Sequence, residues 1–296
     1  MHRWRDAASR SMRLVSERPE LWLPGALAWI ATVGWIPFVV AVARPPSVAE
    51  LTFLGARIVT SGAWPWNAVL IGAASLAVVL LAFAASAAAN AVLIALVARR
   101  APSRNDAGRI LAVNMVASVP AALATVVVAL VLIGVAPVEF NAPEPAGGPI
   151  LRTVVRLLPY LALLGLTAAG GAALATVAGR LAVERRLGLV PALQSAPAVA
   201  LEAHVAAHAV VAFVLQLVFL AFATLLLTVL WAPIGSQLAI GGGIDVATGL
   251  LLVGFVAIWL CLVLAGGALH AWSAATWSRL LATDASSGGP ESTWKT

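Results

Sequence analysis

Charged residues are scarce in this 296-residue sequence, where Lys, Arg, Asp and Glu together make up 10% of the chain. A soluble globular protein carries about 25%. Hydrophobic residues make up 62%, and the mean hydropathy is +1.00. Such a chain must use lipid as the solvent for most of its surface. The composition therefore predicts one all-α membrane domain and leaves no room for a soluble enzyme domain.

Cysteine and tyrosine are almost absent. Cys261 is the single cysteine, so no intrachain disulfide can form and no cysteine pair is available to hold zinc. Tyr160 is the single tyrosine, whereas there are 11 tryptophans. Six tryptophans lie near the ends of apolar runs, where an aromatic belt is expected: Trp22, Trp64, Trp66, Trp231, Trp272 and Trp277.

Motifs of catalysis and nucleotide binding are also absent. The sequence contains no HExxH, no GxSxG and no P-loop, and Gly241-Gly242-Gly243 is not followed by Lys-Ser or Lys-Thr. No ionisable side chain lies near the middle of an apolar run, where a charge costs about 2.5–3.5 kcal/mol on insertion scales. We therefore expect a protein that is not an enzyme, that needs no cofactor and that is not a proton- or sodium-coupled carrier.

Long apolar runs are what the sequence does contain. A helix crosses about 30 Å of hydrocarbon with about 20 residues. The runs predict a polytopic six-transmembrane-helix bundle, with spans at residues 21–43, 67–97, 110–135, 157–177, 205–231 and 247–272. Pro37 and Pro120 are expected to kink the first and third spans. The transmembrane domain then covers residues 21–281, and the Ser/Gly-rich tail 282–296 is predicted to be disordered.

Basic segments precede three of the spans. Residues 1–20 carry five arginines, with apolar residues loosely arranged on one face of a short helix. Residues 99–113 and 180–203 repeat the combination of arginine with small apolar residues, and residues 150–156 could form a further short surface helix. We interpret the three basic segments as short interfacial amphipathic helices on the cytoplasmic side. A solvated basic tail and ordinary hairpin geometry are the alternatives.

The distribution of cations predicts the orientation. Six spans place both termini on one side, and 14 of the 18 Lys and Arg residues fall in segments on that side. By the positive-inside rule both termini are cytoplasmic, in the plasma (inner) membrane of a bacterium. The net charge of +6 then reflects topology and attraction to anionic membrane lipids, and it does not indicate nucleic-acid binding.

The sharpest candidate for chemistry is a group of histidines. His204 and His208 are one helical turn apart at the start of the fifth span, and His270 lies near the same end of the sixth. Three imidazoles with an open fourth position would suit a catalytic Zn²⁺. Histidines that serve as polar anchors at the interface would show the same spacing, so a metal site is one of two interpretations.

Other polar and small residues predict contacts between helices. Asn90 and Gln216 are the deepest polar side chains of the spans, and we expect them to form interhelical hydrogen bonds. Gly170 and Gly171 allow close approach of two backbones along the fourth span. The remaining candidates for packing or partner contact lie in the charged turn after that span: Glu184, Arg185 and Arg186.

The segment Glu184–Ser195, with the sequence ERRLGLVPALQS, resembles a pattern in uncharacterised bacterial six-helix membrane proteins. That family includes the membrane domain attached to some glycerophosphodiester phosphodiesterases, and the layout of residues 10–283 is similar to theirs. The resemblance implies an accessory or scaffold membrane domain. It does not carry over the phosphodiester-cleaving activity, because no segment of this sequence corresponds to the domain that performs it.

Three functions from different classes are compatible with these features. The first is a non-enzymatic scaffold or accessory subunit that engages membrane lipids or a protein partner at its cytoplasmic face, as a monomer or an oligomer. The second is a permease subunit of an ATP-driven exporter, in which residues 99–109 and 180–203 dock an ATPase. The third is a metal-dependent membrane enzyme that uses the three histidines.

Overall fold

The structure is a computed structural model that describes residues 2–43, 50, 57, 60–63, 65–141, 148–239 and 245–287. Throughout these residues the regular structure is helical, without a strand. A 3₁₀ turn (Pro19–Leu21) and a π-helical turn (Ile30–Gly34) flank the second helix. The helices are α1 (His2–Glu17), α2 (Trp22–Trp29), α3 (Ile36–Val42), α4 (Trp66–Val97), α5 (Arg104–Asn141), α6 (Pro149–Glu184), α7 (Leu189–Ala200), α8 (Ala203–Ala239) and α9 (Val246–Ser287).

Five helices, α4, α5, α6, α8 and α9, are long and apolar enough to cross a membrane, with stretches of 29 to 37 residues. A sixth crossing is counted if Pro19–Gly34 and Ile36–Val42, which meet at a bend of 52°, form one broken span. The chain is thus a multi-pass helical membrane protein, and the all-α prediction is confirmed at this level.

The first predicted span, 21–43, is bent where a proline interrupts it. Pro37 has no amide hydrogen, so the carbonyl of Val33, four residues earlier, cannot receive a helical hydrogen bond and would clash with the ring. The π-helical turn Ile30–Gly34 precedes this point. Such turns and prolines are the usual causes of sharp kinks. Regular bonding resumes in α3, where Val39 N–H donates to Trp35 O at 3.1 Å.

The helices extend past the predicted ends of the spans. Hydropathy ends a span at the first charged residue, but a helix continues through arginine, glutamate and alanine, which favour helical backbone. Residues 150–156 are therefore the first turns of α6 and not a separate surface helix, and most of 99–113 is the start of α5. Similarly, α9 runs to Ser287, into the tail predicted to be disordered. Residues 288–296 and Gly241–Gly243 lie outside the described residues.

The start of α9 is fixed by a local cap. Asp245 Oδ1 accepts a hydrogen bond from the Thr248 backbone N–H at 2.7 Å. Hydrogen bonds from the Thr248 side chain and backbone hold the pKa of Asp245 below its ordinary value, because they favour the ionised carboxylate. An acidic cap of this kind satisfies an otherwise unpaired amide in the first turn of the helix.

The chain divides into two compact units, and the first comprises Met1–Ala107 and Ala207–Thr296. In this unit α2 crosses α9 at a pair of facing glycines, Gly25 and Gly267. A Cβ added at Gly267 would lie 2.5 Å from Ala26 N, so the two backbones are in contact. The buried indole of Trp29 fits against Gly34 and Gly266. Small residues at a close crossing are the usual means of packing helices in lipid.

Beside this crossing, α1, α2, α4 and α9 share a core that includes Val15, Leu21, Leu93 and Ala271. Leu21 and Leu93 have no exposed surface. The helix α1 packs against α9 and buries Ala7, Ser11 and Val15 at four-residue spacing, so one side of α1 is covered by protein.

The second unit, Gly108–Ala206, contains most of α5 and all of α6 and α7. A Cβ added at Gly171 would lie 2.6 Å from Ala117 O, so α5 and α6 approach closely there, whereas at Gly170 it would meet nothing within 4 Å. Of the two predicted contact glycines, Gly171 alone lies at a close crossing. The short helix α7 packs against α6.

A charged cluster joins the C-terminal end of α5 to the N-terminal end of α6. Glu139, on α5, is 4% exposed, and its Oε2 lies 2.7 Å from Arg152 Nε. Its Oε1 lies 2.7 Å from Arg156 Nε, but the side chain of Arg156 is 58% exposed. The helix α5 continues through Pro137 to Asn141, six residues past the predicted end of the third span at residue 135.

The glycine crossing gives a direct test of this packing. We expect Gly267→Ala to lower the free energy of unfolding by about 1–3 kcal/mol, because the new methyl group would overlap backbone atoms of α2. Gly249→Ala, on the same helix with no atom within 4 Å, is the matched control and should be neutral or stabilising. Equilibrium unfolding in mixed micelles measures both. Equal losses in the two variants would contradict the close crossing.

Candidate functional site

The candidate site is built around His208, which is fully buried near the start of α8. Trp4 Nε1–H on α1 donates to His208 Nδ1 at 3.3 Å, and His208 Nε2 lies 3.2 Å from the Ser273 carbonyl oxygen on α9. An indole N–H can only donate and a carbonyl oxygen can only accept. These partners therefore assign the neutral tautomer that carries its hydrogen on Nε2.

Tryptophans surround this imidazole and hold α1 along its length. The rings of Trp272 and Trp277 meet the imidazole edge to face, with centroids 5.5 and 5.0 Å away. Trp272 Nε1 donates to Ala8 O at 3.0 Å. Trp22 Nε1 donates to Val15 O at 2.9 Å. We use the name α1 junction for Trp4 of α1 together with the residues of other segments that hold this helix: Trp22, His208, Trp272 and Ser273.

The junction corrects the interpretation of the tryptophans as an aromatic belt. Trp272 and Trp277 are 9% and 6% exposed, so they are part of the protein interior and not of a lipid-facing belt. Trp66 is 70% exposed, as a belt residue would be. Trp4 was predicted as one of the apolar residues on one face of the basic N-terminal helix, but its contact with His208 was not, because it lies far from any span boundary. The signal that could have found it is its one-turn distance from the small residues Ala7 and Ala8.

The geometry of the imidazole does not suit catalysis. Ser273 Oγ lies 3.4 Å from His208 Nε2, which brings a hydroxyl and an imidazole together. A general base needs a free lone pair towards the hydroxyl and a partner that orients the other nitrogen by accepting its hydrogen. Here Nε2 carries the hydrogen, and the lone pair of Nδ1 is occupied by Trp4. The ring therefore joins three helices and does not activate Ser273.

The other two histidines have different partners. His270 Nε2 lies 3.1 Å from Asn90 Oδ1, and Asn90 Nδ2 donates to Ser86 O at 2.9 Å, which links α9 to α4. His204 belongs to the second unit, where its Nε2 lies 3.4 Å from Glu202 Oε2. Across the described ranges, no three His, Cys, Asp or Glu side chains are grouped to hold a metal ion. The geometry gives the histidine metal site no support.

The remaining candidates are Gln216, on α8, and the charged residues at the end of α6. Gln216 is half-buried on α8, and none of the hydrogen bonds found among the described residues involves its side chain. At the end of α6, Glu184 Oε1 lies 3.7 Å from Arg180 Nη1. Arg185 and Arg186 follow and are exposed, and Arg186 has a φ of 53°. The predicted charged turn thus begins at Glu184, the last residue of α6, and Arg185 and Arg186 lie between α6 and α7.

No family model, curated protein or solved structure matches this chain. The resemblance of Glu184–Ser195 to six-helix membrane proteins therefore stays a prediction from the sequence. Function must be inferred from the geometry of the chain itself.

The α1 junction predicts unequal effects of two substitutions at one position. We expect His208→Ala to lower the free energy of unfolding by about 2–4 kcal/mol, because it leaves a cavity and removes the hydrogen-bond partner of Trp4 and Ser273. His208→Gln keeps a donor and an acceptor and should cost less. Hydrogen exchange of the α1 amides should accelerate strongly in the alanine variant while the middle of α9 stays protected. Unchanged exchange of α1 would show that His208 does not hold this helix.

Proposed function

We propose that this protein is a non-enzymatic scaffold or accessory subunit of the bacterial inner membrane that engages partner proteins or lipids through its cytoplasmic face. The observation that carries the proposal is the α1 junction. Its central residue, the buried His208, is hydrogen-bonded to Trp4 on one helix and to Ser273 on another, which fixes these helices in place. An enzyme or a coupled carrier would need such groups to face a substrate or an ion.

Six spans and cytoplasmic termini are part of this proposal. At 1.5 Å per residue, the two arms Pro19–Gly34 and Ile36–Val42 are roughly 24 and 10 Å long, and with the bend of 52° they advance by roughly 30 Å. That distance matches the hydrocarbon thickness of a bilayer. Counting this broken helix as a crossing gives six, and the concentration of arginine at one set of helix ends favours the cytoplasm for both termini.

A clamped α1 offers a defined surface for recognition. Its outer side exposes Arg3, Arg5 and Arg13, together with Met12, which is 63% exposed. A loose basic tail would carry the same charges in no fixed pattern and would lose more conformational entropy on binding. The excess of arginine over acidic residues on α1 suits an acidic protein surface or anionic headgroups.

One observation favours the second function, a permease subunit of an ATP-driven exporter. The short helix α7 lies between two predicted spans, packs against α6 and leaves Val190 59% exposed. A helix in that position could dock an ATPase. This observation is weaker support than the α1 junction, because α7 indicates neither a substrate nor a path across the membrane.

Cysteine labelling tests the number of spans and the orientation. In a Cys261→Ser background, we expect an impermeant maleimide added to intact cells to label Gly62→Cys and Gly148→Cys but not Ser9→Cys or Ser103→Cys. All four sites are exposed on the protein, so protection would come from the membrane. Labelling of Ser9→Cys from outside, with Ser103→Cys protected, would show that Pro19–Val42 does not cross.

Photo-crosslinking in native membranes tests the scaffold proposal. A photoreactive residue at exposed Arg13 should give a discrete adduct with one protein or with phospholipid, whereas the same residue at buried Ser11 should crosslink within the chain. The second position is the matched control for expression and insertion. An adduct with an ATPase from Ser195 on α7, and none from Arg13, would favour the permease. Absence of adducts from both helices would overturn the scaffold.

A further inference from the structure

Two arginines adopt a backbone conformation that arginine rarely takes. Arg99 and Arg186 have φ angles of 52° and 53°, and among the described residues they are the non-glycine residues with positive φ. One follows α4 in the first unit and the other follows α6 in the second, directly after a long apolar helix. Glycine is the usual residue at such a position because a Cβ is strained there.

The helix ends do not need these two side chains as caps. At the end of α4, the Arg99 and Arg100 N–H groups donate to Leu96 O and Ala95 O at 3.2 and 2.9 Å, and Arg18 Nη1 also donates to Leu96 O at 3.1 Å. The last carbonyls of the helix are thus paired by the backbone and by a different arginine.

The end of α6 is built on the same plan. The Leu187 N–H reaches back to Leu181 O at 3.4 Å, past Ala182. The Ala182 carbonyl instead accepts a hydrogen bond from Arg109 Nη1 at 2.9 Å. In both units an arginine from another segment caps the helix, which leaves the arginine at positive φ available for another task.

The side chains of Arg99 and Arg186 are exposed, and no carboxylate pairs with either within the described ranges. Their neighbours differ in this respect, since Arg100 Nη1 lies 2.6 Å from Asp106 Oδ2. Each unit therefore places, just after the end of an apolar helix, a guanidinium that no described carboxylate neutralises.

We propose that Arg99 and Arg186 are anchors for the phosphate groups of anionic lipids. This inference deepens the proposed function and rests on it for placing the two helix ends at the cytoplasmic surface. A guanidinium presents a planar fork that can donate two parallel hydrogen bonds to a phosphate, which an ammonium group cannot do. The attraction of the cytoplasmic leaflet for basic residues next to a span adds to this geometry.

A purely structural role makes a different prediction. Any cation is favourable at a helix C-terminus, because the helix dipole is negative there. Such a role needs no lipid and would be served equally by lysine. Replacement by glycine should then weaken the fold in detergent, whereas for a lipid anchor it relieves the strained backbone and affects lipid binding alone.

The test uses the full chain in zwitterionic micelles and follows the thermal unfolding midpoint as phosphatidylglycerol, phosphatidylcholine or inorganic phosphate is added. A ligand that binds the folded state raises the midpoint, and at a given concentration a tighter ligand raises it more. We expect phosphatidylglycerol to raise the midpoint of the wild-type chain, and the other two ligands to have little effect. In the double variant Arg99→Gly/Arg186→Gly, the midpoint without lipid should be equal or higher, and most of the phosphatidylglycerol effect should be lost.

Two controls complete the design. Arg99→Lys/Arg186→Lys keeps the charge and the backbone strain, and should keep a smaller part of the lipid effect. Arg57→Gln/Arg104→Gln removes the same number of exposed charges outside α1 and the two anchors, and should lose less than the glycine variant.

Three results would contradict the proposal that Arg99 and Arg186 bind lipid phosphate. They are an undiminished phosphatidylglycerol effect in the glycine variant, a lower midpoint of that variant without lipid, and an effect of inorganic phosphate equal to that of phosphatidylglycerol. The last result would identify free phosphate as the ligand. Failure of the scaffold is separate, because it is measured by crosslinking from α1 and does not depend on these residues.

Discussion

Backbone contact between α2 and α9 at Gly25 and Gly267 is the constraint on which the rest of the first unit depends. In lipid, apolar side chains gain little by leaving one apolar environment for another, so helices associate through close packing and hydrogen bonds. Two glycines let the helix axes approach until main-chain atoms touch. Trp29 then has a slot against Gly34 and Gly266, and the chain bends by 52° before α3.

Polar groups add specificity to this packing. A buried polar atom without a partner costs several kcal/mol in an apolar medium, on the order of 2–7 kcal/mol by transfer measurements. In the first unit, the pairs His208 with Trp4 and His270 with Asn90 each connect residues that are far apart in the chain. A helix that slid by one turn would break these bonds, so they fix the register that the glycines alone would leave adjustable.

The sequence predicts the apolar helices well, because hydropathy is a property of each segment and needs no knowledge of its neighbours. The lengths of the helices were less accessible: arginine ends an apolar run but not a helix, as α5 and α9 show. The α1 junction was out of reach because Trp4 and His208 are 204 residues apart, and nothing in the local pattern of either reveals the other. Likewise, Gly267 is one of 24 glycines, and what distinguishes it is the backbone that faces it.

The distribution of burial along α9 connects this architecture to function. With 42 residues, α9 is about 63 Å long, roughly twice the hydrocarbon thickness. Its first half exposes Leu250 and Val253, as expected of a surface covered by lipid, whereas its second half buries Ala271, Trp277 and Leu280. The second half of α9 is thus the more deeply buried half, and α1 is attached near its end. A chain that functioned by opening a path across the membrane would need its packing and polar groups along that path. The burial and the hydrogen bond that hold α1 against this end of α9 instead support the proposal of a protein that presents a fixed surface to a partner.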